Sequence, residues 1–251
     1  MRALYWKEIR SFLGSMIGYI FILIFLIASG VIHWYISWDG NLLEGTEVDL
    51  IPFFNFSPWV FLILIPAITM RSIAEERRNG TIELLFTRPI SDLEIVLAKY
   101  FAGVTLLIIS LIPTIVYYFS MRSLGVNTTG EDGNVISVID EGAMLTSYFG
   151  LILLGSAFVA IGIFASSVTS SQIVAFILGL FLCLIFWIGL GLLGSYNLMG
   201  ELDEIFQSAG IEKHYEAIMK GVIDTTDIIY FIGLIAVFIT ASLTVIKSLK
   251  R

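Results

Sequence analysis

Residues 142–200 read GAMLTSYFGLILLGSAFVAIGIFASSVTSSQIVAFILGLFLCLIFWIGLGLLGSYNLMG, a run of 59 residues without Asp, Glu, Lys or Arg. A helix needs about 20 mainly apolar residues to cross the roughly 30 Å hydrocarbon core of a bilayer. The run is therefore long enough for two membrane-spanning helices. Residues 166–171, Ser-Ser-Val-Thr-Ser-Ser, are small and polar and predict a tight turn between the two.

Four further charge-free runs flank this stretch. They cover residues 11–38, 50–70, 100–121 and 228–246. Counted with the divided run, they predict six membrane helices, near residues 18–36, 57–74, 96–119, 143–166, 172–194 and 227–246. The continuous rather than alternating apolar pattern favours helices over a membrane β-barrel. We therefore predict an all-α integral membrane protein in which residues 1–251 form a single transmembrane domain.

The composition indicates a chain with little mass outside the bilayer. Of the 251 residues 57% are hydrophobic and 14% are charged, and the net charge is −7. Soluble domains carry about 45–50% apolar and about 25% charged residues, so an ordinary soluble enzyme is excluded. A nucleic-acid binder would need a basic face. Cys183, the single cysteine, provides neither a disulfide framework nor a paired-cysteine metal site.

The distribution of Lys and Arg predicts the orientation of the helices, because basic residues are retained on the cytoplasmic side. With both termini inside, 11 of the 14 Lys and Arg are cytoplasmic, Arg88 and Arg251 among them. The three outside are Arg122, Lys213 and Lys220. A cleaved signal peptide would instead leave five helices and an outer N-terminus, but the first apolar run is longer than a signal peptide requires.

Residues 1–16 predict an amphipathic helix that lies in the membrane interface. Its apolar face consists of Tyr5, Ile9, Phe12, Leu13 and Met16. Its polar face consists of Lys7, Arg10 and Ser11. This segment would form an elbow before the first membrane span.

The sequence contains no motif for catalysis or nucleotide hydrolysis. GxxxxGK(S/T), HExxH and GxSxG are all absent. The middles of the spans hold no charged residue, which disfavours an ion-coupled transporter. We predict no catalytic, cofactor-binding or metal-binding residue, so any transport energy would come from another subunit. His33 is expected to be an interfacial side chain with a wetted tip, and His214 to belong to an outer amphipathic segment.

Residues 75–94, EERRNGTIELLFTRPISDLE, predict a short helix between the second and third spans. Arg77-Arg78 suits the end of one helix, and Asn79-Gly80 can adopt the left-handed conformation that terminates it. Thr81 is expected to cap the new helix, which ends before Pro89.

The short helix carries Ile82, Leu85 and Phe86 on one face. It is either an ordinary connection resting on lipid or a lever that docks into a cytoplasmic partner and moves the second and third spans. Ser91-x-x-Glu94 predicts a capping box at the start of the third span. Lys99 is expected to extend back to the lipid headgroups.

The run Glu75-Glu76-Arg77-x-x-Gly80-Thr81-x-Glu83-Leu84-Leu85-x-Thr87-x-Pro89, followed by Lys99, resembles the coupling segment of ABC-2-type permeases. These are the six-helix membrane subunits of ATP-driven exporters. The resemblance implies a type V permease fold, an N-terminal elbow, and a coupling region at 75–95 that fits a cleft in a separate ATPase. ATP and Mg would be bound by that ATPase. The residues it implies for ATPase coupling are Glu75, Glu76, Arg77, Gly80, Thr81, Glu83, Leu84, Leu85, Thr87 and Pro89.

Four other segments resemble the permease subunits of bacterial gliding-motility ABC complexes, the GldF family. They are residues 65–72, 147–151, 171–176 and 221–230. The resemblance implies an inner-membrane complex with a GldA-like ATPase and the companion membrane subunit GldG. A second copy of the permease is the alternative membrane partner.

Residues 195–226 predict two amphipathic helices on the outer membrane face, separated at Gly210. Their apolar stripes are Leu202, Ile205, Phe206 and Ala209, then Ile211, Tyr215, Ile218, Met219 and Val222. The segment is either a lid over the bundle or a docking site for an outer partner. In the second case exposed acids surround the stripes, namely Glu201, Asp203, Glu204, Glu212 and Glu216. The connection with Glu44, Glu47 and Asp49 is predicted to be a solvated outer loop.

Helix-bending and small residues stand out within the spans. Pro66 and Pro113 are expected to kink or loosen the second and third spans. Small residues four apart, at 14/18, 156/160 and 162/166, permit close helix approach. They serve either packing within the chain or a subunit interface or translocation path.

Two other classes of function remain open. A purely structural membrane scaffold would recruit partners without transporting anything. A membrane-embedded enzyme would need polar catalytic groups clustered at one membrane depth, and the sequence shows no such cluster.

Overall fold

The structure is a computed structural model that describes residues 1–36, 42, 50–87, 89–124, 128–129, 135–136, 141–195 and 200–250. Arg88, Arg251 and the predicted outer loop with Glu44, Glu47 and Asp49 lie outside these residues. The side chains of Glu201 and Leu202 are likewise not described.

The described residues form thirteen α-helices in chain order. They are α1 (Arg2–Gly14), α2 (Met16–Trp34), α3 (Ile51–Thr69), α4 (Ala74–Arg78), α5 (Ile82–Phe86), α6 (Asp92–Leu111), α7 (Ile115–Leu124), α8 (Glu141–Val168), α9 (Gln172–Leu184), α10 (Leu190–Ser195), α11 (Glu201–Ala209), α12 (Ile211–Met219) and α13 (Thr225–Leu249). A 3₁₀ turn at Ile112–Thr114 joins α6 to α7, and a π-helical turn at Ile185–Gly189 joins α9 to α10. The strands β1 (Thr128–Thr129) and β2 (Val135–Ile136) pair antiparallel.

Six helical segments are long and apolar enough to cross a membrane, which confirms the predicted spans. They are Met16–Trp34, Ile51–Arg78, Asp92–Ser123, Glu141–Val168, Gln172–Ser195 and Thr225–Leu249. The predicted tight turn after residue 166 is also present, because α8 ends at Val168 and α9 begins at Gln172. The fold is nearly all-helical, as predicted.

Helix α8 is the centre of the bundle. In the most apolar stretch of α8, 78% of the residues are buried inside the protein. In the corresponding stretches of α2, the α9–α10 span and α13, only 22–28% are buried. Close approach to α8 depends on glycine: a Cβ on Gly162 would lie 2.1 Å from Oγ1 of Thr69, and one on Gly155 would lie 2.5 Å from Leu107. The small residues at 162 and 166 therefore serve packing within the chain.

The two prolines singled out in the sequence behave differently. Helix α3 runs α-helically through Pro66 to Thr69. Pro113 lies in the 3₁₀ turn that separates α6 from α7, so it loosens the third span as predicted. The π-helical turn in the fifth span was not predicted, since no proline marks it.

Helices α11 and α12 are separated at Gly210 as predicted, and α12 packs onto the bundle. The hydroxyl of Tyr215 donates to the carbonyl of Phe54 (2.7 Å), and Ile218 lies against Gly150. Helix α12 is therefore a lid over this end of the molecule. The prediction that Asp203 is an exposed acid is wrong, because only 5% of the residue is accessible.

Both histidines are buried in the protein and not exposed to solvent. His33 is fully buried between the rings of Phe53 and Phe56, and its Nδ1 lies 2.7 Å from the carbonyl of Ser29. The prediction of an interfacial side chain with a wetted tip is therefore wrong. His214 is also buried, although it does lie in an outer helix.

Candidate functional site

The predicted coupling region lies at one end of the bundle, where α1, α4, α5 and the start of α6 meet. We call this the α1 end. A small apolar cluster joins Leu4 of α1 to Ile95 and Ala98 of α6, and Leu85 and Phe86 of α5 pack against it. The apolar face predicted for the short helix is therefore turned inward, onto protein rather than onto lipid.

The opposite face of α5 is accessible to solvent. Leu84 is 66% exposed there, so its side chain is available for contact. Glu83 and Thr87 are exposed on the same helix. We call Glu83, Leu84 and Thr87 the outer face of α5. It combines one apolar anchor with one charge and one hydroxyl, a set suited to contact with another protein.

The turn between α4 and α5 contains a left-handed glycine. Gly80 has φ +70°, the left-handed conformation that the Asn79-Gly80 pair predicts. Thr81 does not cap α5 with its side chain, and this prediction is wrong. Its hydroxyl donates instead to the carbonyl of Glu76 (3.3 Å), which closes the turn from the α4 side.

Side chains of α8 hold the bend between α3 and α4. Oγ of Ser166 accepts from the backbone N–H groups of Ile73 (2.9 Å) and Ala74 (3.0 Å) and donates to the carbonyl of Met70 (3.0 Å). The guanidinium of Arg77 donates to the carbonyl of Ser167 at 2.5 Å. Helix α4 is thereby fixed to the central helix of the bundle.

The start of α6 is fixed by its own residues and by the end of α13. Ser91 and Glu94 form the predicted capping box, with Glu94 N–H to Ser91 Oγ at 3.3 Å and Ser91 N–H to Glu94 Oε2 at 3.0 Å. Lys250 forms an ion pair with Asp92, and its Nζ lies 4.9 Å from the centre of the Phe86 ring.

An ionic cluster lies at the same end of the bundle, with three shielded side chains and one, Lys7, that is 58% exposed. Nζ of Lys99 lies 3.1 Å from Oε1 of Glu8 and 3.0 Å from Oε1 of Glu76, and it donates to the carbonyl of Ser72 at 2.6 Å. Lys7 reaches both glutamates at 3.2 Å. We call Lys7, Glu8, Glu76 and Lys99 the ionic cluster. It links α1, α4 and α6, which are remote in sequence.

The prediction that Lys99 extends to the lipid headgroups is wrong, since only 1% of its side chain is accessible. An isolated ammonium loses several kcal/mol of solvation on burial. Two carboxylates and a carbonyl replace that solvation here, and the four groups of the cluster sum to zero charge. Burial opposes the charged form of Lys7, but Glu8 and Glu76 outweigh it and raise the pKa of the Lys7 ammonium.

A groove of about 680 Å³ opens beside the ionic cluster, between α1 on one side and α4 and α5 on the other. Its walls also include the last turn of α3 and the first turn of α2. Arg71, Glu75 and Leu84 line it together with the ionic cluster.

The predicted coupling residues divide by environment. Glu76 and Arg77 bind other parts of the protein, Leu85 packs inward, and Glu75 lines the groove. Exposed to solvent are Gly80, Thr81, Glu83, Leu84, Thr87 and Pro89.

Sequence reasoning missed Glu8, Ser72 and Ser166 as parts of this site. One signal was available for Glu8. Lys99 lies within a membrane helix, and a lysine there usually pairs with an acidic side chain at the same depth. Among the residues that the structure describes, no group of three or more His, Cys, Asp or Glu is placed to hold a metal ion.

The family described as ABC-2 family transporter protein has a model that matches residues 2–248, almost the whole chain. No curated protein matches the sequence.

Proposed function

Because the chain belongs to the ABC-2 family of transporter proteins, it is a membrane permease subunit of an ABC transporter, and we propose that α5 couples it to a separate ATPase. In this proposal the chain itself is non-catalytic. ATP and Mg bind to the ATPase, and closure of two ATPase subunits moves the permease helices.

The orientation of α5 carries this proposal. A connection that merely rests on lipid would bury its apolar face in the membrane, whereas here that face packs on Leu4 and Ile95 and the outer face is exposed. Leu84 then provides an apolar anchor for a cleft in the ATPase, and Glu83 a charged contact beside it.

Movement of α5 would reach the membrane spans through rigid contacts. The ionic cluster connects α4 to α6 and α1, and Ser166 and Arg77 connect the α3–α4 bend to α8. Because α3, α6 and α8 form the buried part of the bundle, a displacement of α5 would tilt these three spans rather than be absorbed locally.

Met1 and Lys250, the first and the last described residues, both lie at the α1 end, which supports a topology with the two on one side of the membrane. The N-terminal ammonium lies 3.5 Å from Glu94, and Lys250 pairs with Asp92. Together with the excess of Lys and Arg there, this favours a cytoplasmic α1 end in a bacterial inner membrane.

The resemblance of four segments to the GldF family supports a narrower proposal. The ATPase would be GldA-like, GldG would be the companion membrane subunit, and the output would be motility-linked export or force transmission. The assembly would contain either two copies of this chain or this chain with a different membrane subunit.

The experiment is to purify the tagged full chain from its native membrane and to measure how much ATPase co-purifies with it. Leu84→Ser should lower ATPase recovery about tenfold to a hundredfold, because one buried leucine at an interface contributes roughly 1.5–3 kcal/mol. Ile205→Ser is the matched control, since Ile205 is 61% exposed on α11 at the other end of the molecule. Equal ATPase recovery with both variants would contradict the docking of α5, and so would the absence of an ATPase from the wild-type preparation.

A further inference from the structure

The groove between α1 and α4 has the size and the chemistry of a site for a lipid headgroup. We propose that it binds a phospholipid with a primary ammonium, of the phosphatidylethanolamine kind, with the phosphate on Arg71 and the ammonium on Glu75. The proposal does not depend on ATPase docking, because it concerns the permease alone in its bilayer.

The position of the groove suits a lipid. Ile68 lies in the last turn of α3, and Ile17 lies in the first turn of α2, so both mark the edge of the membrane-spanning part. Phe12 continues this apolar wall along α1. Polar residues line the same groove together with these apolar ones, namely Lys7, Ser11, Ser15, Arg71 and Glu75. This combination suits a molecule that has both acyl chains and a charged headgroup.

The volume of about 680 Å³ lies within the range of about 300–1,000 Å³ that is common for small-molecule sites. A headgroup with its glycerol backbone fits such a space, and the chains would leave it along Ile17 and Ile68 into the bilayer.

Charge decides which headgroup fits. The ionic cluster is balanced internally, with two ammonium groups facing two carboxylates. Arg71 and Glu75 also line the groove, and within the described part of the chain neither of them takes part in an ion pair. The groove thus offers one unmatched cation and one unmatched anion. A zwitterionic ligand complements both.

The geometry of the donors distinguishes between phospholipids. A guanidinium binds phosphate oxygens through two parallel N–H groups. A primary ammonium donates hydrogen bonds to a carboxylate, whereas a choline has no N–H to donate. A glycerol headgroup has no cation, and its phosphate would bring a negative charge towards Glu75, Glu76 and Glu8. We therefore expect ethanolamine lipid to bind more tightly than choline or glycerol lipid.

The test uses the purified full chain in nanodiscs made from equal parts of ethanolamine, choline and glycerol phospholipids. Mass spectrometry then counts the lipids that stay bound when the protein is released. The wild type should retain ethanolamine lipid in preference to the other two. Arg71→Gln should lower that retention about tenfold, the usual effect of losing one hydrogen-bonded charge.

Two variants make the result specific. Glu75→Gln should remove the preference for ethanolamine over glycerol lipid, because the carboxylate that repels the anionic lipid is gone. Arg78→Gln is the control, since Arg78 is exposed at the end of α4 and does not line the groove. It should leave retention unchanged.

A soluble competitor separates headgroup recognition from a general affinity for lipid. Glycerophosphoethanolamine has the same charges without acyl chains, so it should displace the bound lipid at high concentration, and inorganic phosphate should displace it less well. Equal retention of the three lipids by the wild type would overturn the proposal. So would full retention of ethanolamine lipid by Arg71→Gln. Neither result would bear on recovery of the ATPase, which is measured separately.

Discussion

Lys99 and Glu8 lie 91 positions apart in the sequence, and their charged atoms lie 3.1 Å apart although both side chains are largely shielded from solvent. The contact fastens the amphipathic α1 to a membrane-spanning helix. Helix α1 is therefore attached to the bundle by a specific contact, whereas an isolated amphipathic helix is held only by its contact with the bilayer.

Removing Lys99 alone should lower the free energy of unfolding more than removing Lys99 and Glu8 together. Lys99→Met leaves two glutamates without their buried partner, and we expect a loss of about 3–5 kcal/mol in the free energy of unfolding. The double variant Glu8→Gln/Lys99→Met leaves Lys7 opposite Glu76 and should be more stable than Lys99→Met alone. Thermal unfolding in detergent, followed by tryptophan fluorescence, measures both. A double variant that is less stable than each single variant would argue against the ionic cluster.

Enlarging Gly162 should push α3 and α8 apart. An alanine Cβ would lie 2.1 Å from Oγ1 of Thr69, so Gly162→Ala should cost about 1–3 kcal/mol through overpacking. Thr69→Ala should restore part of the loss when it is combined with Gly162→Ala. Gly233→Ala is the matched control, because nothing lies within 4 Å of its new Cβ and alanine favours the helix by up to about 1 kcal/mol.

Helices α11 and α12 should loosen when Asp227 is removed. Nδ1 of His214 lies 2.6 Å from Oδ1 of Asp227, and Nε2 lies 2.8 Å from the carbonyl of Ser208, so one imidazole ties α11 and α12 to α13. Asp227→Ala should cost about 1.5–3 kcal/mol, the range for hydrogen bonds to charged groups. Hydrogen exchange should rise in α11 and α12 while α8 stays protected. Glu216→Ala, at an exposed pair with Lys220, should change little.

The start of α13 should weaken in acid. The backbone N–H of Thr226 donates to the carboxylate of Asp224 at 2.9 Å, and this hydrogen bond lowers the pKa of Asp224 below its ordinary value. A lowered pKa means that the cap is fully formed above the ordinary value and is lost as the pH falls through the lowered one. Exchange of the first α13 amides should therefore rise at low pH in the wild type. Asp224→Asn, which caps without a titrating group, should show a smaller rise.

The six spans could be predicted from the sequence because length and hydropathy depend on the chain alone. The capping box at Ser91 and Glu94 and the turn at Gly80 are similarly local, since every atom involved lies within a few residues. Thr81 shows the limit of such reasoning. A threonine before a helix is a common cap, but here the carbonyl of Glu76 lies close enough to accept a hydrogen bond from its hydroxyl.

The candidate site could be predicted only in part. The sequence indicated the apolar face of α5, but it did not reveal that Leu4 and Ile95 cover that face. The environment of Lys99 was mispredicted for the same reason, because its acids come from α1 and α4 and only tertiary packing unites them. The burial of His33 and Asp203 likewise depends on which helices pack around them.

The contact of Lys250 with Asp92 and Phe86 has a practical consequence for imaging and purification. A fluorescent label placed at Lys250 would lie beside Phe86 of α5 and the first turn of α6. Such a bulky label would crowd the outer face of α5. Reporters are therefore better inserted at the other end of the molecule, far from the surface that they are meant to observe.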